Sequence, residues 1–415
     1  MAGKRKREES LSNSPRRRSA RISDMRSSAS GTTAPLSSVR SLRSREMSAL
    51  TGVSELSTEE ESPVRRYYIH DISEGHMTTP ESWTVLSDLA RRRVNRYETK
   101  SRGSLESKLT ACLLACIDHL PDGGRESLAR NIRKADTDDD LHAVFSSLCT
   151  GLLCPMKANS ARGTITPSPH SQGEENAEMM LARLLDPNRR SSEFRDTLLR
   201  RDDYRCVVSN QMDQKRYDEI GSPDDINNAE VEGAHIIPFN YGKWKDTPAA
   251  AQEVSKAWEV LWRYFPAVRR CGLNIDNIND PSNGMTLSES IHRQFGRFSL
   301  AFIATEIPNT YRIKTYHHFP KFYRQHFLPP NDVVTFQAAA SDTGDISNCI
   351  PPPNPIYLEC HYRIAEILNA SGMGKAIDQK LQDLEDLKSM SHGHMAQDGS
   401  TDLSRYLNLA FWQTV

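Results

Sequence analysis

Three short segments within one stretch constrain this chain more than any bulk property. Val231-Glu232-Gly233-Ala234-His235-Ile236-Ile237-Pro238 reads as a strand closed by proline. Asp280-Pro281-Ser282-Asn283-Gly284 reads as a turn, because Asn-Gly tolerates positive φ. Met285–Leu287 is then short and extended, and Ser288–Phe295 reads as a short helix with Ser288 as its N-cap and His292 upon it. A single histidine is weak evidence of chemistry, since most are satisfied core or surface residues. A strand histidine, a turn asparagine and a helix histidine in that order form a more specific signal.

The rest of the chain organises itself around this stretch. Met1 to about Ser62 is rich in Ser and Arg and poor in aromatics, so it cannot bury enough apolar surface to offset its chain entropy and is expected to be disordered. Residues 63–156 are expected to form a helical domain. Thr79-Pro80-Glu81 opens one helix with a cap, a proline and an acid. Leu105, Leu109, Cys112, Leu113, Cys116 and Ile117 trace one helical face, and Pro121-Asp122-Gly123-Gly124 stops it. Two more helices are expected near Arg125–Ala135 and Asp138–Leu153. Residues 157–175 read as a Ser/Pro/Gly/Thr linker, and residues 176–330 as the domain that carries the three segments. Within that domain the expectations are a helical stretch Asn176–Asp203, a strand Tyr204–Val208, a polar insert Asp213–Ala229 and a helix Ala249–Phe265. Strands Phe298–Ile303 and Thr310–Thr315 should follow, joined by a turn at Pro308-Asn309. Residues 331–415 are Pro- and Ser-rich, then helical near Pro355–Ala370 and Lys375–Met390.

Composition excludes several classes. No run of about 18 apolar residues occurs, so a membrane span is not expected, and no apolar segment follows the basic start as in a secretory signal. None of the eight cysteines forms a C-x-x-C pair, which argues against a structural zinc ribbon. Cys112 and Cys116 read as core. Reduced thiols fit an intracellular compartment. The formal net charge of −1 is unevenly spread: Met1–Glu46 carries twelve Lys/Arg against four acids, leaving the remainder acidic. Steering toward phosphates must therefore come from the tail or a local patch. The clusters Lys4-Arg5-Lys6-Arg7 and Arg16-Arg17-Arg18 resemble a nuclear import signal or a nucleic-acid arm, the alternative being a solubilising tail. His317-His318 and His392-Gly393-His394 read as exposed polar segments, and Trp258, Trp262 and Phe265 as core packing instead of a base-stacking platform.

These segments resemble a fungal HNH endonuclease family. Arg201-Asp202-Asp203-Tyr204-Arg205-Cys206-Val207-Val208-Ser209 looks like its entry strand, Ala234-His235-Ile236-Ile237-Pro238 its base motif and Trp258-Glu259-Val260-Leu261 its insert helix. Ser282–Ser288 and Ile291-His292-Arg293-Gln294-Phe295-Gly296-Arg297-Phe298 look like its Asn and His motifs. The resemblance implies an α+β architecture with a ββα-metal core: a hairpin, a loop and a helix clamping one divalent ion. It implies a nuclease hydrolysing phosphodiester bonds, of DNA in preference to RNA. His235 would be the general base, His292 a metal ligand through neutral imidazole, and Asn283 the brace of the loop that orients His235.

Two positions depart from the pattern. Many relatives place a ligand immediately before the base histidine, where this chain has Ala234, and a second ligand one turn after the last histidine, where it has Gly296. Glu232, two residues before Ala234 and so on the same strand face, is a replacement ligand. Asp276 and Asp280 are weaker ones. So few ligands suit Mg²⁺ or Mn²⁺ completed by water and phosphate oxygens, and Zn²⁺ if both histidines bind. Arg293 and Arg297 flank the site helix and could meet phosphates. The competing readings are a degenerate HNH fold that binds nucleic acid or protein without cutting, and an interaction protein built on the helical domain.

Overall fold

The computed structural model describes residues 82–103, 105–157, 165–166, 169–170, 173–181, 192–242, 247–339 and 349–391. The basic tail with both of its clusters, the Thr79-Pro80-Glu81 cap, most of the 157–175 linker and His392-Gly393-His394 lie outside the described residues. All described residues fall within one compact unit spanning His76–Val415.

The first layer is helical. Helices α1 (Trp83–Asn95), α2 (Leu109–His119), α3 (Gly124–Lys134) and α4 (Asp138–Leu148) follow one another, α2 being led in by a 3₁₀ turn, Glu106–Lys108. Leu86, Ala90 and Val94 recur every fourth residue on α1 and are all buried; on α2 so are Leu109, Cys112, Leu113, Cys116 and Ile117. Helix α4 starts where Thr137 Oγ1 accepts from the Asp140 amide at 3.2 Å while the Asp140 carboxylate accepts from the Thr137 amide at 3.0 Å. The helix expected to run to Leu153 instead passes into a π-helical turn, Cys149–Leu153, and then a short α5 (Cys154–Lys157).

Next come α6 (Gly173–Leu181) and α7 (Ser192–Arg201), two helices where one continuous stretch was expected. The expected strand Tyr204–Val208 is not a strand. Asp203 and Tyr204 take left-handed φ of 52° and 55°, and the chain turns back so that the Cys206 amide reaches Gln211 O at 2.9 Å. Only a single bridge, Arg205 with Met212, survives there. The insert Asp213–Ala229 is structured: β1 (Met212–Asp213) and β2 (Asn228–Ala229) pair in parallel around α8 (Gln214–Glu219).

Strand β3 (Val231–His235) is followed by α9 (Pro248–Tyr264), α10 (Pro266–Arg270), β4 (Gly284–Ser288) and α11 (Glu289–Gly296). Strands β3 and β4 are antiparallel, with Val231 opposite Ser288 and His235 opposite Gly284. Then β5 (Leu300–Ala304), β6 (Thr310–Thr315), α12 (Lys321–His326) and β7 (Val333–Thr335) form a three-stranded antiparallel sheet ordered β5-β6-β7, whose third strand was not expected. Helices α13 (Pro355–Ser371) and α14 (Met373–Ser391) end the described chain. The mixture of helices and small sheets is α+β.

One core runs through these elements. Helix α13 packs on α2 with one side and on β5 with another, and α9 packs against α3 and the π turn. Two glycines allow that approach. A Cβ on Gly124 would stand 2.0 Å from Tyr264 O, and one on Gly151 would stand 2.6 Å from Val260 Cγ2. Trp258 is wholly buried, with its indole N–H donating to Tyr241 O at 2.8 Å.

Candidate nuclease site

The β3–β4 pair is held from below by α7. A Cβ on Gly284 would meet Phe194 Cζ at 2.4 Å and Leu198 Cδ1 at 2.8 Å, so glycine there lets the helix lie directly on the ladder. Arg201, at the end of α7, is fully buried. Its guanidinium donates to Pro281 O at 2.8 Å, Gly284 O at 2.9 Å and Pro351 O at 3.1 Å, and pairs with Asp202. Asp202 in turn accepts from the Thr286 amide at 2.9 Å. A buried cation satisfied on this many sides acts as a bracket between helix, turn and strand.

Asn283 sits in that bracket, 0% exposed. Its Oδ1 accepts from the Ile237 amide at 2.9 Å, and its Nδ2 donates to Ile237 O at 3.0 Å and Ile278 O at 2.9 Å. The side chain thus ties the segment immediately after His235 to the loop before β4. This turn does not depend on positive φ at Asn283-Gly284, as the sequence suggests. Residues 281–283 form a 3₁₀ turn and Gly284 is extended at φ −152°, so positive φ plays no part. The asparagine is required for its amide and the glycine for its missing Cβ. Ser288 is also not a side-chain cap of α11; it occupies the N-cap position with no capping bond, and its Oγ stands 3.5 Å from Ser209 Oγ.

His235 ends β3, half-buried. Its ring stacks on Phe194, centroids 4.0 Å apart and planes 16° from parallel, and lies near Phe239 at 5.6 Å. Nε2 stands 3.0 Å from Asn279 Oδ1. With Nε2–H donating to that oxygen, the ring's lone pair is on Nδ1. From α11, His292 Nδ1 meets Glu232 Oε2 of β3 at 2.5 Å. Glu232 and Ala234 share a strand face, but their surroundings differ: Ala234 is sealed at 0% exposure while Glu232 is open to solvent.

His235, Glu232, His292 and Gly296 all line one cleft of about 590 Å³, with Arg195, Phe194 and Asn240 also on its walls and Phe298, Met156 and His361 deeper in. Two expected candidates are not brought there. Asp280 caps the 3₁₀ turn, accepting from the Ser282 amide at 2.8 Å and hydroxyl at 2.6 Å, and Asp276 is exposed in the loop before it. Arg293 on α11 and Arg297 just past its end are exposed, with Arg293 paired to Glu289 one turn back. No group of three His, Cys, Asp or Glu poised for a metal occurs among the described residues.

Sequence reasoning missed Asn279, Phe194 and Arg201. Asn279 lies in the run Asn274-Ile275-Asp276-Asn277-Ile278-Asn279-Asp280, where several polar residues compete and nothing local marks the one that reaches the imidazole. Phe194 and Leu198 lie in the expected helical stretch, spaced i and i+4, but the sequence does not show what they cover.

No curated protein and no solved structure matches the chain. A family model described as HNH endonuclease matches residues 206–303, a span that contains the Asn283 brace, His235, Glu232 and His292, and over those residues the chain is similar to that family.

Proposed function

We propose that this domain is a divalent-metal-dependent nuclease of the Ala-His-Ile-Ile-Pro type that hydrolyses phosphodiester bonds of DNA, with His235 as general base. The observation that carries this is the convergence of His235 with the Glu232–His292 pair on one open cleft. Phosphodiester hydrolysis needs an activated water and positive charge on the phosphate as negative charge builds.

The chain's own groups divide that work. Phe194 fixes the plane of the His235 ring, and Asn279 holds the proton on Nε2. Nδ1 then takes the proton from the attacking water. Asn283 keeps residues 236–237 in place behind the ring. Arg297, exposed just past the end of α11, would meet a backbone phosphate.

The donor set fits a small, hard cation. Neighbouring ligands around Mg²⁺, at bonds of about 2.1 Å, stand about 3 Å apart. His292 Nδ1 and Glu232 Oε2 already approach to 2.5 Å, both side chains being partly exposed. They would hold Mg²⁺ or Mn²⁺, with water and phosphate oxygens completing the sphere; Zn²⁺ would call on His235 as well. When bound, such an ion stabilises the charge developing on the phosphate and leaving oxygen.

Supercoiled plasmid incubated with Mg²⁺ or Mn²⁺, beside the His235→Ala protein, tests the proposal. Metal-dependent nicking lost in the variant supports it. Absence of nicking with any divalent metal, together with salt-sensitive DNA binding, favours the second reading, a binding module on the same fold. The poverty of donors speaks for that reading: Ala234 is buried and Gly296 carries no side chain. We also propose nuclear import through Lys4–Arg7 and Arg16–Arg18. Deleting residues 1–21 should redistribute the protein into the cytoplasm, and unchanged nuclear accumulation would refute it.

A further inference from the structure

Among the described residues that line the cleft, Arg195 is the one lysine or arginine. Neither Arg293 nor Arg297, the cations that the sequence offered, lines it. Arg195 stands in the first turn of α7, directly after Phe194, whose ring carries His235. The helix lies close on β3 at this point: a Cβ on Gly233 would stand 3.2 Å from Arg195 Cα and 3.3 Å from Leu198 Cδ1. Arg195 therefore crosses the strand between Glu232 and His235, the two residues of β3 that carry the site.

Its guanidinium is held at one nitrogen. Nη2 donates to Val231 O at 2.9 Å and to Asp213 Oδ2 at 3.0 Å. Among the described residues these are its bonds, and they leave the N–H groups of Nε and Nη1 to a guest. Arg201, on the same helix, shows what a purely structural arginine does: it is fully buried and donates through Nε, Nη1 and Nη2. The Arg195 ion pair is lopsided instead, with the Asp213 side chain 5% exposed and the Arg195 side chain 43%. The sealed carboxylate fixes the cation, while an anion in the cleft meets only the positive end of the pair. Asp213 ends β1, so the insert that follows it supplies the anchor.

We propose that Arg195 binds a phosphate of the nucleic-acid backbone inside the cleft that holds His235 and the Glu232–His292 pair, with Asp213 as the residue that positions it. The proposal rests on the nucleic-acid reading of the cleft but not on cleavage. A charged N–H donor facing a phosphate oxygen in a partly closed cleft is a strong contact, because less water competes for either group.

The test uses the full-length protein in EDTA, so that binding is read without metal-dependent cutting. The probe is a labelled DNA duplex of about 12 base pairs, followed by fluorescence anisotropy across a salt series. Arg195→Gln should weaken binding by about tenfold and lower the slope of log affinity against log salt by about 0.9, the share of one phosphate contact. Arg195→Lys keeps the charge and should restore the slope. Asp213→Asn keeps the cation but loosens its anchor, so affinity should fall by about threefold with the slope retained. Melting curves establish that each variant is folded at the assay temperature. Unchanged affinity and slope in Arg195→Gln would overturn the proposal, as would equal losses in Arg195→Gln and Arg195→Lys, the result expected of a bracket between helix and strand. Unchanged affinity in Asp213→Asn would remove Asp213 from the positioning role. Arg195-dependent binding by a protein that never nicks plasmid would support the proposal and count against the catalytic reading alone, whereas an unmodified protein that binds no DNA would overturn both.

Discussion

The mouth and the floor of the cleft each hold a histidine stacked on phenylalanine, and the two could hardly differ more in consequence. At the mouth, His235 lies on Phe194 at 4.0 Å, half-buried, with Asn279 at one nitrogen. At the floor, His361 is sandwiched between Phe295 at 3.7 Å and Phe298 at 4.3 Å, 2% exposed, with Nε2 donating to Phe295 O at 3.1 Å. Burial pushes the His361 imidazole down to about 3, so it is a neutral packing group at any ordinary pH. The floor even accepts backbone strain: Phe298 sits at φ 57°, where a helix usually ends in glycine, and its ring covers His361. Stacking on an aromatic ring therefore does not by itself mark a histidine for chemistry; what separates these two is access to solvent.

The largest expected contrast is in activity. His235→Ala should lower metal-dependent nicking by about 10²-fold or more, while His361→Leu should leave the rate per folded molecule within about tenfold, since that ring touches no reacting atom. Equal losses in a plasmid assay would erase the distinction between mouth and floor.

Asn283→Ala should strike both. It removes three buried hydrogen bonds and strands the amide and carbonyl of Ile237. The expected cost is about 3 kcal/mol of stability or more, read by urea unfolding. A loss under about 1 kcal/mol would mean the turn is held by the Arg201 bracket alone.

The floor histidine should also show itself in the pH dependence of stability. The unfolded chain takes up a proton on this ring near its ordinary value of 6.5, whereas the folded chain keeps it neutral down to about 3. Stability is thus fully present above 6.5 and falls as pH drops from 6.5 toward 3, by an amount on the order of a few kcal/mol. His170, pushed down to about 4 first by burial and then by Arg263, contributes with the same sign. Melting curves between pH 7 and about 4 should be flatter for His361→Leu than for the unmodified protein. Parallel curves would place the proton uptake elsewhere.

Smaller effects sharpen the account of the mouth. Asn279→Ala should cost about tenfold in nicking and change its pH profile, because the proton is no longer held on Nε2. A rate loss with an unshifted profile would make Asn279 merely structural. Gly296→His should tighten Mn²⁺ or Zn²⁺ binding several-fold by calorimetry, roughly the gain of one weak ligand. A Cβ there meets nothing within 4 Å, and the position lines the cleft. Unchanged affinity would mean that position 296 does not face the ion.

The helices and the strand around His235 were legible in local pattern. The i, i+4 apolar faces of α2 and α9 follow from a period that neighbours in sequence impose, and so does β3, although it ends at His235, three residues short of the proline expected to close it. Failure came where backbone and side chain served distant partners. Tyr204–Val208 has strand-forming residues, but left-handed turns at Asp203 and Tyr204 redirect it. Asn283-Gly284 looks like a turn chosen for φ, yet it is chosen for hydrogen bonds to residue 237 and for room beneath Phe194.

By itself the sequence determined which residues are candidates for chemistry and in what order: a strand histidine, a turn asparagine and a helix histidine, on elements whose type is set locally. Tertiary structure alone decided who meets whom. It brought Glu232 to His292 across 60 positions, Asn279 to His235 across 44, and left Asp276 and Asp280 outside the cleft. The physical reason is that periodicity and capping act over a few residues, whereas a ligand pair or a tautomer-holding contact depends on how whole elements pack. Here that packing is governed by a missing Cβ at Gly284 and a buried guanidinium at Arg201.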